Sequence, residues 1–212
     1  MTHTTLHCPC FARLPRSRTF ARPHFLILLL LAVALTPLAA SSGTPGDFTG
    51  YADVVNNIAT ITGYTGPGGS ISIPTSFQGC PVTRIESTAF KGCNSITADT
   101  IPDCVTNFGS SAFQDCSSLI SVTIGNGVNG IPYCAFSGCS SLTSVTFTGS
   151  VIWIGGYAFE NCASLTTITA HPDNPNYASI DGVLFDKIFT ALIKYPATFS
   201  GGFIIPAGVT SI

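Results

Sequence analysis

Seven cysteines lie beyond residue 40 of this 212-residue chain, and four of them, Cys93, Cys116, Cys139 and Cys162, recur every 23 residues. Thiols in such number can hold zinc, form disulfides or attack a substrate, and each use demands its own spacing. Zinc needs C-x-x-C pairs, which are absent beyond residue 40; Cys8-Pro9-Cys10 falls before it. Disulfides need Cβ atoms about 3.8 Å apart, whereas copies stacked as neighbouring strands carry parallel Cβ vectors about 4.8 Å apart. The ladder therefore reads as buried thiols packing as small hydrophobes. Cys80, Cys104 and Cys134 lie off it, and the odd total leaves at least one thiol outside any pairing.

The remaining reactive groups are sparse. His171 is the one histidine beyond the leader and sits in a Pro-rich turn. No H-E-x-x-H, G-x-S-x-G, Walker-type or dinucleotide glycine pattern is present, so the usual hydrolase and nucleotide signatures are missing. Asp173, Asn174, Asn176, Asp181 and Asp186 offer oxygens to calcium, but their spacing is not that of a calcium loop, and turn formation is the better reading. No catalytic residue, metal site or cofactor is expected, and the chain is read as a non-enzyme. Two groups remain as candidate binding residues. Thr100, Thr123, Thr146 and Thr169 repeat at 23 and fall on the strand side opposite the core. Such ranks can order water, as ice binding requires, but threonine is also simply a good exposed strand residue, and that reading is preferred. Trp153, the single tryptophan, has Gly130 and Asn107 as its equivalents. Tyr133 and Tyr157 likewise replace small residues, and such aromatics can form a contact patch.

The elements that must position these residues follow from the same interval. Ala89-Phe90, Ala112-Phe113, Ala135-Phe136 and Ala158-Phe159 are each 23 residues apart, as are Ile96, Leu119, Leu142 and Leu165. Val122, Val145 and Ile168 keep the period, as do Val105, Val128 and Val151. A unit this small cannot bury its own apolar face, so its copies must stack around one continuous core. Leu142-x-x-Val145-x-Phe147 fits the L-x-x-L-x-L pattern, in which each rung gives a short strand to a parallel sheet. Phe90, Phe113, Phe136 and Phe159 then form a structural ladder beside the cysteines. Phe113→Ala and Phe136→Ala are expected to be among the worst single changes.

The full unit, Ile124-x-x-x-Val128-x-x-Ile131-x-x-x-Ala135-Phe136-x-x-Cys139-x-Ser141-Leu142, resembles the BspA-type leucine-rich repeat family of exported and surface proteins. The resemblance covers about residues 54–212. Asp99 departs from it, standing where the other copies have Val122, Val145 and Ile168; the first full rung is expected to be looser there or to point Asp99 out of the core. The expected fold is a mainly β repeat solenoid with 23-residue rungs, a parallel sheet and a β-hairpin insertion near the C-terminus.

The boundaries follow. Residues 1–40 read as a signal peptide, from early arginines and the apolar run Phe25–Leu35 closed by Pro37 and small residues; that run is shorter than the roughly 20 residues of a membrane span. Residues 41–53 read as linker, 54–88 as an N-terminal entry rung and 89–170 as regular repeats. Residues 171–203 form an enlarged hairpin rung, with Gly182–Phe185 and Ala191–Tyr195 as paired strands. Residues 204–212 match an incomplete rung, from which a fragment of a longer repeat protein and end-to-end self-association are expected.

Beyond residue 40 stand four basic and ten acidic side chains, a formal charge of −6. A basic surface for nucleic acid is missing, and no permanent membrane span is expected once the leader is removed. The reading is an exported, non-enzymatic module at the cell surface or outside the cell, binding a protein or glycan and serving adhesion. The alternative is the non-catalytic targeting part of a larger secreted enzyme.

Overall fold

The structure is a computed structural model that describes residues 44–198 and 202–212; the signal-peptide reading of 1–40 lies outside the described residues. A short 3-10 turn, Pro45–Asp47, leads into β1 (Phe48–Asp53), β2 (Ile58–Tyr64), β3 (Gly69–Ser70), β4 (Ser76–Phe77) and β5 (Cys80–Ile85). The regular rungs follow as β6 (Ile96–Ile101), β7 (Asn107–Phe108), β8 (Ser121–Ile124), β9 (Gly130–Ile131), β10 (Ser144–Phe147), β11 (Trp153–Ile154) and β12 (Thr167–Ala170). The chain then forms β13 (Tyr177–Ile180), β14 (Val183–Asp186) and β15 (Leu192–Lys194).

The main sheet runs β12-β10-β8-β6-β3 with every pairing parallel. Its register repeats the sequence interval: Val122 faces Val145, and Val145 faces Ile168. Within β8, β10 and β12 burial alternates, so Val122 and Ile124 point inward while Thr123 points out. That is the period-2 geometry of a strand with one face in the core. A second, narrower ladder pairs β9 with β11. Between the two ladders the Ala-Phe turns close the core. The Phe90 N–H donates to Ala112 O at 2.8 Å, and Phe113 and Phe136 repeat the bond one rung on at 2.9 Å. Their rings stack, with centroids 4.7 Å apart for Phe90–Phe113, 5.5 Å for Phe113–Phe136 and 5.9 Å for Phe136–Phe159.

Two backbone columns make these turns possible. Thr88, Ser111, Cys134 and Tyr157 all adopt positive φ, and so do Gly92, Asp115, Gly138 and Asn161. Each rung therefore contains two left-handed positions at fixed places, the second filled by the residues that tolerate that conformation most readily.

Asp99 overturns one of the two expectations for the first full rung, that its side chain points out. It does not point outward: it is buried, and β6 pairs with β8 without interruption from Ala98 to Ile101. Turning it out needs a one-residue slip, which would also expel Ile101. Residues 48–53 likewise depart from the linker reading, because β1 pairs antiparallel with β2 and buries Phe48. β2 then pairs with β5, giving the first rungs a sheet of their own.

The enlarged rung is a three-stranded antiparallel sheet, β13-β14-β15. Besides the two strands read from sequence it contains β13. The β13–β14 turn is Asp181-Gly182, with φ of 51° and 84°, the geometry of a two-residue hairpin turn. The Ile168 N–H donates to Gly182 O at 3.0 Å, so the hairpin continues the stack beyond β12. Asn174, fully buried, joins the two: its Nδ2 donates to Thr148 O and Val151 O, and its Oδ1 accepts from the N–H groups of Asn176 and Tyr177. The segment Val209–Ser211 lies along the far side, with Ser211 bridging Ala191.

Candidate binding surface

The threonine rank is assembled by the parallel register: Thr100 faces Thr123, Thr123 faces Thr146, and Thr146 faces Thr169. All four are exposed. Beside them Ser121, Ser144 and Thr167 form a second, half-buried hydroxyl column in the same register. The outer face of the sheet is thus an uncharged array of short hydroxyls over four strands, held in register because each alternate residue is locked in the core.

The aromatic residues lie on the other edge. Trp153 faces Gly130 across the β9–β11 ladder, and its indole covers that glycine so closely that a Cβ there would collide with the ring. Tyr133 and Tyr157 meet edge to face, centroids 5.6 Å apart. Exposure of 45% for Trp153, 52% for Tyr133 and 59% for Tyr157 places all three in solvent. Next to Tyr157 a cleft of about 380 Å³ opens where the hairpin sheet leaves the regular stack. Its walls include Ile154, Tyr157, Phe159 and Glu160 on one side and Ile193 and Lys194 of β15 on the other.

The ladder residues sit inside. Phe90, Phe113, Phe136 and Phe159 are buried, as are Cys116, Cys139 and Cys162, while Cys93 is half-buried. The seven cysteines of the described residues are all thiols. Packing as small hydrophobes describes the ladder incompletely, because each buried thiol also donates to a carbonyl 26 residues earlier. Cys116 reaches Phe90 O at 2.9 Å, Cys139 reaches Phe113 O at 3.1 Å and Cys162 reaches Phe136 O at 3.2 Å. Burial pushes the Cys93 and Cys162 thiols up to about 11, and the adjoining Cys116 thiol together with burial raises Cys139 as well. These sulfurs are neutral and unreactive at physiological pH.

His171 is exposed, and its Nδ1 accepts the Asp173 N–H at 3.2 Å. Asp186 closes the β14–β15 turn, accepting from the N–H groups of Thr190 and Ala191 at 2.7 and 2.9 Å; these bonds hold its carboxyl below the usual range. Asp173, Asn174, Asn176, Asp181 and Asp186 thus occupy turns and a buried bracket instead of converging. Among the described residues no group of three His, Cys, Asp or Glu is arranged to hold a metal ion, and no helix is long and apolar enough to cross a membrane.

Asp99 is the buried carboxyl in a column that is otherwise apolar. Both carboxylate oxygens lack a hydrogen-bond partner. Burial raises its pKa to about 8, opposed in part by the nearby N–H groups of Thr100 and Ile73, which do not complete hydrogen bonds to it.

The stacked rungs, parallel register and closed Phe ladder define a β-solenoid built on a leucine-rich repeat. Residues 69–190 match the BspA type leucine rich repeat region, in six copies, and the chain belongs to that family. It is similar to the pneumococcal vaccine antigen PcpA, at 26% identity and TM-score 0.59 over 75% of this chain and 43% of that one. A leucine-rich repeat protein from Bacteroides capillosus aligns at 30% identity and TM-score 0.53, covering 59% of this chain and 95% of that one. The T. pallidum leucine-rich repeat protein aligns at 25% identity and TM-score 0.52, covering 60% and 71%. The chain therefore spans less than half of PcpA. Among the curated proteins none matches.

Proposed function

We propose that the chain is a non-enzymatic binding module, exported and displayed at the cell surface or released outside the cell, where it engages a protein or glycan and serves adhesion. The observation that carries this reading is the division of labour in each rung. Apolar side chains, thiols and the Phe ladder are consumed in the core, whereas the outward positions form a hydroxyl sheet and an aromatic edge on one scaffold. Solenoids use such extended surfaces for recognition. Similarity to a protein described as a vaccine antigen supports display outside the cell.

The test of display is detection on intact cells that make the protein. Antibody against the purified chain should label unpermeabilised cells or find the protein in the medium, and external protease should remove the cell-bound signal. A signal that appears only after permeabilisation and resists protease would refute export.

A further inference from the structure

We infer that the cleft between the last regular rung and the hairpin sheet is a binding subsite for a neutral saccharide, with Tyr157 as its stacking platform and Glu160 and Lys194 as its polar clamps. The inference rests on the binding-module reading and narrows it to one site and one ligand class.

The repeat supplies an internal control. Every rung solves the same packing problem, so an exposed side chain that departs from its equivalents is not required by the fold. Position 157 is Cys134, Ser111 and Thr88 in the preceding rungs, position 153 is Gly130 and Asn107, and position 133 is Ser110 one rung before and Gly156 one rung after. Large exposed aromatics replace small residues at three positions, all within two neighbouring rungs, and Tyr157 borders the cleft. Tyr157 also holds its ring on a left-handed residue, φ 57°, where a small side chain serves the other rungs.

The cleft exists because the 23-residue interval is broken. β15 lies in the antiparallel hairpin sheet, so Ile193 and Lys194 wall a space that a regular rung would close. At about 380 Å³ it lies at the small end of ligand pockets, the size of a small molecule and not of a protein partner. Its chemistry selects further. One carboxylate and one ammonium line the same space, so the cleft carries no net charge that would favour an ion of either sign. A neutral polyol satisfies both, giving a hydroxyl proton to Glu160 and accepting at oxygen from Lys194. The C–H face of a pyranose ring matches the tyrosine face, and Tyr133, edge-on to Tyr157, fixes that ring.

Saturation-transfer NMR on the full chain, with neutral hexoses, N-acetylhexosamines and their disaccharides as probes, tests the assignment. Transfer should be strongest at ring C–H protons. Tyr157→Ser installs the residue that Ser111 shows at the equivalent left-handed position, so it should fold normally while weakening binding about tenfold or more. Lys194→Ala should weaken binding too, and Val55→Ser, at the exposed turn between β1 and β2, should leave it unchanged. Silence with every neutral saccharide, or transfer that survives Tyr157→Ser, overturns the cleft assignment. If extracellular proteins are captured equally by the chain and by Tyr157→Ser while saccharides are ignored, the saccharide site fails and the binding module stands. If nothing of either class is bound, both fail.

Discussion

Asp99 sits directly opposite Val122 in the parallel ladder of β6 and β8, a buried carboxyl facing a buried isopropyl group, with neither carboxyl oxygen hydrogen-bonded. Its pKa of about 8 in the folded chain stands above the ordinary 3.8. The contribution of this group to stability is therefore full below pH 4, is lost progressively as pH rises toward 8, and is flat above. Asp99→Val, which copies the next rung, should remove that dependence and raise stability by several kcal/mol at pH 8 and by less at pH 4. Thermal melts of both proteins from pH 4 to pH 9 give the comparison; parallel curves would show that Asp99 is solvated.

Phe113 is sandwiched between Phe90, at 4.7 Å and 1° between planes, and Phe136, at 5.5 Å and 17°. Removing it opens a cavity that rigid backbone ladders on both sides cannot collapse. Phe113→Ala should cost about 3–5 kcal/mol, measured by urea denaturation, against less than about 1 kcal/mol for exposed Thr123→Ala. Similar losses for the two would contradict the stacked ladder.

The thiols offer a chemical readout. Cys116, Cys139 and Cys162, all buried, and the last two with raised pKa besides, should resist alkylation at pH 8 in the native chain, while half-buried Cys134 reacts. All should react in denaturant. Mass spectrometry after timed iodoacetamide labelling resolves each site, and equal native rates would show that the ladder is not buried.

The last described segment should be the least protected. Ile204 and Ile205 are exposed, whereas the Thr210 N–H donates to Thr190 O at 2.8 Å. In a solenoid, stability is close to a sum of rung and neighbour contributions. Amide hydrogen exchange should therefore be much faster at Ile204, Ile205, Ala207 and Gly208 than at Val122, Thr123, Val145 and Thr146. Equal protection would mean that another surface covers this end.

What could be read in the sequence was what recurs. A strict interval of 23 fixed which residues share a column, and the columns of Val122, Thr123 and Phe113 needed no structure to be drawn. The Asp99 column was also legible, but its direction was not: the preference of one carboxyl for water was weighed without the cost of slipping Ile101 out of the core. β1 has no copy elsewhere in the chain, so no interval announced it; the Asn56-Asn57 turn, with Asn57 at φ 52°, was the local signal. The left-handed columns were written plainly as Gly92, Asp115, Gly138 and Asn161, and Asp181-Gly182 marked the turn that adds β13. The cleft was not legible, because it depends on how far β15 diverges from the rung beside it. The threonine rank and the aromatic residues were identifiable as positions, and the structure adds that they lie on separate faces.

The measurement that tests the account most directly is saturation binding of the purified chain to immobilised extracellular proteins and glycans, repeated with two surface variants. One replaces Tyr133→Ser, Trp153→Gly and Tyr157→Ser, each taken from an equivalent rung position; the other places Thr123→Lys and Thr146→Lys on the sheet. Saturable binding to at least one partner, lost in one variant while both melt like the parent, is the predicted result. No saturable binding, or binding that survives both variants unchanged, would contradict the claim that this solenoid is a scaffold for an exposed recognition surface.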